Sequence, residues 1–555
     1  MTAGSGRALA LCAAVCAASG LCISERAGAL PEPLLPEKNA CLEPSAPLAL
    51  GSAQWNGWGR DLENTRYQPE PALRATDVPK LALKWAFGFQ GSAVAGQPTV
   101  VDGRLFVVSA VGRIYSLDAI TGCTYWTYDV PAGTRTAIAI AESAPPRSVP
   151  PPRGSAVAAR PTHGKKKGAK KTKHALTLAH LDLVKAPSAA YFGDDAGAVY
   201  ALDAQKGTLL WRTVVEDQPS ARIVGAPVVY RGSIYVAVAS NELTLAENAA
   251  YACCSFRGSV VALDATTGRV TWKTYAIGEE ARAGVAGGAA GAAITGSPTI
   301  DVTRNLLYVG TGAASTAQAA PRTDAVIALG ISDGTLRWSR QFARHDRSGG
   351  AEFYGSPILR TLADGKQIIM AGQASGIVYA LDPDRDGEVL WQTKVTDDAY
   401  PAGIEWGSAA DHRRLYVALS GLVAEPDNLL GGLAALDMKT GALRWFTPGP
   451  APVCSWGTQS CTHAEAQAVT VIPGVAFSGS MDGHLRAYST IDGKILWDVE
   501  TAREFTTVNG VKASGGSLDQ GGPTIVNGVV YINSGYGQRY GQPGNVLLAF
   551  TVDGK

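Results

Sequence analysis

The sequence predicts an all-β fold, an eight-bladed β-propeller whose ring is closed by a blade shared between the two termini. Three observations predict it: a Trp-ending motif repeated seven times, an eighth copy split between the ends of the chain, and a turn-rich composition. Of 555 residues, 64 are Gly, 12 are Trp, 19 are Tyr and only 4 are Met. Such usage suits tight turns and strands better than helical bundles. Apolar residues make up 46%, enough to build a core, and charged residues only 17%.

The repeat reads Ala-Leu-Asp-x-x-x-Gly-x-x-x-Trp or a near variant. Its copies end at Trp126, Trp211, Trp272, Trp338, Trp391, Trp445 and Trp497, each Trp four residues after its Gly. Physically this is a strand, a turn and a second strand. The Asp caps the turn through backbone amides, and Gly takes the positive-φ position. The Trp fills the gap between neighbouring sheets. Spacings of 61, 66, 53, 54 and 52 residues after Trp211 suit four-stranded blades with variable loops.

The eighth copy closes the ring. The chain ends LLAFTVDGK, with Gly554 at the turn position and no Trp after it, while LALKWAF near the start supplies Trp85. Joining them removes two exposed sheet edges.

Outside the repeats, residues 8–23 form an apolar run behind a single Arg, followed by Ala27-Gly28-Ala29. This predicts a secretory signal peptide over 1–29, a linker over 30–50 and the propeller over 51–555. The mature chain is expected in the periplasm or secreted, with no membrane span, in a compartment where cysteines pair. Residues 141–178 predict a disordered Pro/Lys-rich insertion, since the stretch has almost no large apolar side chains. Nine basic groups fall within 147–174 with no acid, and without them the chain carries 40 basic against 48 acidic side chains. The body is therefore mildly acidic, which argues against nucleic-acid binding. The insertion reads as a solvated loop or a contact for an anionic partner.

The seven His are scattered, which disfavours zinc, and no Cys-x-x-Cys-His occurs for haem attachment. Cys454 and Cys461 are close enough for a local disulfide, while Cys41 and Cys123 are either paired or free.

Several segments carry a resemblance. WNGWGRDLENTRYQP (55–69) with VPKLALKWAFGF is similar to the opening of quinoprotein alcohol dehydrogenases, propellers that bind pyrroloquinoline quinone (PQQ) and Ca²⁺. AYACCSFRGSVVALDATTG (250–268), GIEWGSAAD (403–411), FSGSMDGHLRAYSTIDGKILWD (477–498) and NSGYGQRYGQPGNVLLAFTVDGK (533–555) resemble the polyvinyl-alcohol dehydrogenase branch. The resemblance implies hydride transfer from an alcohol, small or polymeric, to PQQ. Electrons would then pass to a separate soluble cytochrome c.

It also implies site residues. A vicinal Cys253–Cys254 disulfide and Arg135 would lie against PQQ, with Trp406 walling the pocket. Glu242 would ligate Ca²⁺ and Asp324 would serve as base, with Asp346 a second acidic candidate. Each has a plainer alternative: separately paired or buried thiols, a surface ion pair for Arg135, a core role for Trp406, a solvated Glu242 and a turn-capping Asp324. Three positions depart from the family pattern. Thr295 replaces a Trp under the quinone, Ala313 an Asn that helps bind Ca²⁺, and Ala374 a basic residue that hydrogen-bonds the quinone oxygens. These departures leave a second reading open, a propeller without cofactor that acts as a binding or assembly scaffold.

Overall fold

In the computed structural model, residues 34–555 are described apart from 143–187 and 52–53, 92–93, 247, 249, 280–287, 317–319, 344–349, 396–402, 422–430, 455, 457–460 and 538–540. The predicted signal peptide (1–29) lies outside the described residues, and so does the insertion beyond Glu142. The compact unit spans 37–555. Apart from the two-stranded pair Glu504–Phe505 and Ala513–Ser514, its strands gather into eight antiparallel sheets, each with at least four strands, in the eight-bladed arrangement that the repeat predicts.

Seven blades follow in chain order, and the eighth closes the ring. Leu81–Gly88 pairs antiparallel with Val546–Val552, from Leu81 opposite Val552 to Gly88 opposite Val546, with one irregularity between Leu83 and Trp85. The N-terminal strand thus completes the blade built by Thr524–Val526, Val529–Ser534 and Val546–Val552. The second blade starts with Ala139–Glu142, paired to Ser188–Gly193. The insertion therefore leaves this blade after Glu142, and residues 141 and 142 belong to a strand.

The repeat works through contacts between blades. Six indole N–H groups donate to a carbonyl in the next blade's turn: Trp126 to Ala204, Trp211 to Ala265, Trp272 to Ile331, Trp391 to Met438, Trp445 to Thr490 and Trp497 to Leu81. The ring of each of these except Trp497, which packs on Phe550, lies on the Gly of the next turn. A Cβ on Gly441 would stand 2.5 Å from the Trp391 ring, and one on Gly207 2.6 Å from Trp126. Glycine is needed twice over, for positive φ and for the space the indole occupies. Trp338 sits against Gly387 but its Nε1 has no hydrogen-bond partner. The turn it meets, Asp382 to Gly387, is one residue longer than the others.

The core is correspondingly distributed. Apolar faces of adjacent sheets interdigitate, as where Phe106 and Ile114 of the first blade meet Phe192 and Tyr200 of the second. Cys41 pairs with Cys123 across 82 residues, tying the segment before the propeller to the first blade. Cys454–Cys461 is the expected local bridge.

Candidate functional site

Five blades enter the sheet through a short motif, a variable residue followed by Gly, a small residue and, in four of them, Pro. The variable residues are Val224, Thr295, Tyr354, Trp406 and Gln520. The glycines let adjacent segments touch around the axis: a Cβ on Gly225 would stand 2.7 Å from the Gly296 backbone, and one on Gly296 2.9 Å from Gly355. This tight ring turns the preceding side chain of each motif into the axial space, where all five wall one small cavity together with Trp58 and Arg135.

A larger cavity opens beside it, with a volume of about 190 Å³. Thr295, Tyr354 and Trp406 wall both cavities. The larger one adds two carboxylates, Glu352 and Glu405, an apolar side from Leu243, Phe256 and Ala313, and the amide of Asn241. The Tyr354 hydroxyl donates to Glu352 Oε2 at 2.5 Å. Positive charge lies at the other end, where Arg135 Nε and Nη2 hold Asp195 at 2.8 and 2.6 Å.

The structure brings Arg135 and Trp406 together in this axial site, as the resemblance implies. Cys253–Cys254 forms a vicinal disulfide close by, two residues before the cavity-lining Phe256, though neither cysteine lines the cavity. Glu242 is buried at the start of the short helix Glu242–Leu245. Its Oε1 accepts from Ser255 N (2.7 Å), Tyr251 OH (3.1 Å), Gln218 Nε2 (3.3 Å) and Ser255 Oγ (3.4 Å), and Oε2 from Phe256 N (2.9 Å). It holds down the loop that carries the disulfide. Asp324 is fully buried at φ +50°, its amide donating to the Gly312 carbonyl at 3.0 Å. It sits behind the cavity wall and does not line it. Asp346 lies outside the described residues.

The departures also find places. Thr295 Oγ1 donates to the Tyr354 carbonyl at 2.7 Å, and the aromatic surface beside it comes from Trp406 and Tyr354. Ala313 opens the wall of the cavity. Ala374 is completely buried behind Glu352, its amide donating to the Glu352 carbonyl at 2.9 Å. Sequence reasoning passed over Glu352, Glu405, Tyr354 and Trp58. The recurring small-residue motif was the available signal, because it marks which side chains face the axis.

These residues fit a planar, anionic, carbonyl-rich group. The indole N–H groups of Trp58 and Trp406 are buried without a hydrogen-bond partner, and both side chains help wall the smaller cavity. A bound acceptor would satisfy donors that otherwise cost free energy to bury. The fit for Ca²⁺ is poor. That ion takes six to eight oxygens, whereas no group of three or more His, Cys, Asp or Glu gathers among the described residues. Both Glu242 oxygens are already occupied by donors from around their own loop.

Comparison with known proteins places the site in context. A family model described as the β-propeller domain of glucose, ethanol and alcohol dehydrogenases (PQQ) matches residues 55–403. A second, described as outer membrane protein assembly factor BamB, matches 374–541. The chain is 41% identical over 533 residues to a polyvinylalcohol dehydrogenase from Pseudomonas sp., covering 90% of this chain and 77% of that one. It is 39% identical over 554 residues to the polyvinylalcohol dehydrogenase of Sphingopyxis sp., covering 93% and 79%. Among solved structures, a quinohemoprotein alcohol dehydrogenase from Pseudomonas putida superposes with a TM-score of 0.65 at 18% identity, over 91% of this chain and 81% of that one.

Proposed function

The chain belongs to the quinoprotein alcohol dehydrogenase family, as the match over 55–403 and the 41% and 39% identities show, and on that premise we propose that it is an exported, PQQ-dependent dehydrogenase acting on polyvinyl alcohol or similar secondary alcohols. The scaffold alternative is set aside, because relatives sharing nine tenths of the chain are alcohol dehydrogenases. The observation that carries the reading is a pair of adjoining axial cavities, the smaller walled by Arg135, Trp58 and Trp406 and the larger by Trp406 and the buried Glu352, with both indole N–H groups lacking a hydrogen-bond partner.

Bound PQQ supplies an electrophilic quinone that accepts hydride from the alcohol carbon. Arg135 offers a cationic donor for one of its carboxylates, and Trp58 and Trp406 offer neutral donors. Trp406 and Tyr354 provide flat surfaces beside a ring system. Glu352, rather than Asp324, takes the hydroxyl proton, because it lines the cavity and Asp324 does not. The Tyr354 hydroxyl fixes Oε2 of Glu352. Leu243, Phe256 and Ala313 hold the hydrocarbon part and exclude water. No step is routed through Ca²⁺.

We take the electron acceptor to be a separate, soluble cytochrome c. Three disulfides among the described cysteines and the N-terminal apolar run support an oxidising, periplasmic or extracellular location. No helix among the described residues is long and apolar enough to cross a membrane.

Dye-linked oxidation of polyvinyl alcohol by the PQQ-loaded protein tests the reading. Activity is expected, and Glu352→Gln should lower kcat by about 10²–10⁴-fold while PQQ binding persists. A loaded protein that oxidises no alcohol overturns the function. An active Glu352→Gln variant overturns the assignment of the base.

A further inference from the structure

Deepening that reading, we propose that Arg222, with Arg135, forms a two-arginine clamp that binds a carboxylate group of an aromatic polycarboxylate ligand in the axial site. Two residues before the variable position of the axial motif stand Arg222 in the third blade, Ala293 before the fourth and Glu352 before the fifth. In each segment the residue between them is buried: Ile223, Ile294 and Phe353. Alternation along extended chain puts positions on either side of that buried residue on the opposite face. Ala293 and Glu352 both line the larger cavity, and Val224, two residues after Arg222, lines the smaller one. In these three segments the pattern turns Arg222 toward the axial side, at the edge of the two cavities rather than in their lining.

Its contacts agree. With the Asn241 amide oriented to satisfy both neighbours, its nitrogen donates to the Ser220 carbonyl at 3.0 Å. Its oxygen accepts from Arg222 Nη2 at 2.7 Å. Asn241 itself walls the larger cavity, so it aims the guanidinium along the cavity edge. Asp195 is the carboxylate close enough to act on Arg222, yet it is gripped by Arg135 through two hydrogen bonds. Two guanidinium groups thus lie near one carboxylate, Asp195. Burial lowers the Arg222 pKa, Asp195 opposes that, and Arg135 adds to it. An incoming carboxylate would relieve both the desolvation and the repulsion, and a planar fork matches its geometry.

This inference rests on the quinoprotein reading, and its test separates the two. PQQ is titrated calorimetrically into the full-length wild type, Arg222→Gln and Arg222→Lys without alcohol, at two ionic strengths. A parallel titration uses benzene-1,3,5-tricarboxylate, a redox-inactive aromatic anion. Arg222→Gln should bind PQQ about 10–100-fold more weakly and with a shallower salt dependence, and Arg222→Lys should fall between. Wild-type binding with equal affinity in Arg222→Gln overturns the clamp and leaves the proposed function standing. If the wild type binds no PQQ, the function falls and the tricarboxylate decides the clamp: Arg222-dependent binding supports it, and no binding or Arg222-independent binding overturns it. If Arg222→Gln fails to fold by thermal melting, unchanged affinity in Arg222→Lys overturns the clamp and weakened affinity supports it.

Discussion

The seating of indoles on the next blade's glycine makes a prediction that separates backbone strain from packing. Gly441 and Gly103 share the same φ, +73°. A Cβ on Gly103 would meet nothing within 4 Å, whereas one on Gly441 would stand 2.5 Å from the Trp391 ring and 2.7 Å from Thr393 Oγ1. Alanine at Gly103 should therefore cost only the left-handed conformation, about 1–2 kcal/mol. Alanine at Gly441 should cost that plus about 1–3 kcal/mol for displacing a ring pinned by its bond to Met438. A unit of this length has an unfolding entropy of about 1 kcal/mol/K. Scanning calorimetry should then show Tm falling by about 1–2 °C for Gly103→Ala and about 2–5 °C for Gly441→Ala. Adding Trp391→Ala to both backgrounds completes the test, because the packing cost should vanish only with Gly441→Ala, giving a coupling of about 1–3 kcal/mol. Equal shifts for the two glycines, together with zero coupling, would refute the reasoning.

Further outcomes follow from the same structure. Replacing Cys41 and Cys123 by Ser opens a link across 82 residues. By chain entropy this should cost up to about 4–5 kcal/mol, a Tm loss of about 4 °C in calorimetry. His484 Nδ1 lies 2.6 Å from Asp498 Oδ1, and that hydrogen bond raises the histidine pKa against the effect of burial. Its contribution is complete below the unfolded value of about 6.5 and fades as pH rises through the higher folded value. Denaturation between pH 6 and 8 should show this loss, and His484→Gln should flatten it. Glu242→Ala removes the acceptor of the Ser255 and Phe256 amides. Hydrogen exchange at those two amides should accelerate by at least tenfold, whereas Glu242→Gln, which keeps one acceptor oxygen, should show a smaller change.

The fold was far more legible than the site, for a physical reason. Every blade must solve the same docking problem, so Trp and Gly recur at fixed spacing, and even the split closure is visible from Trp85 and Gly554. The axial positions face one shared space in which each blade supplies something different: valine, threonine, tyrosine, tryptophan and glutamine. Their chemistry does not repeat, so no pattern marks it. Arg135 and Trp406 were reachable because their surrounding motifs resemble the family. Glu352 lies in none of the segments that resemble the family, and of its neighbours Phe353 is core and Tyr354 cavity wall. Glu242 read as a metal ligand because it sits where the family offers a Ca²⁺-ligating glutamate, and only three-dimensional contacts reveal that two backbone amides and three side chains take up its oxygens.

The pairing of Leu81–Gly88 with Val546–Val552 also governs when the protein can be finished. A ribosome or translocon delivers the first of these strands hundreds of residues before the second. Through that interval both flanks of the incipient ring present unpaired strands, which can recruit other chains. The last blade forms only when the final strand arrives, so completion is late, non-local and comparatively slow. Premature termination near residue 545 would remove little mass but would leave the nascent ring open, and its penalty should appear as aggregation during synthesis as well as lost stability.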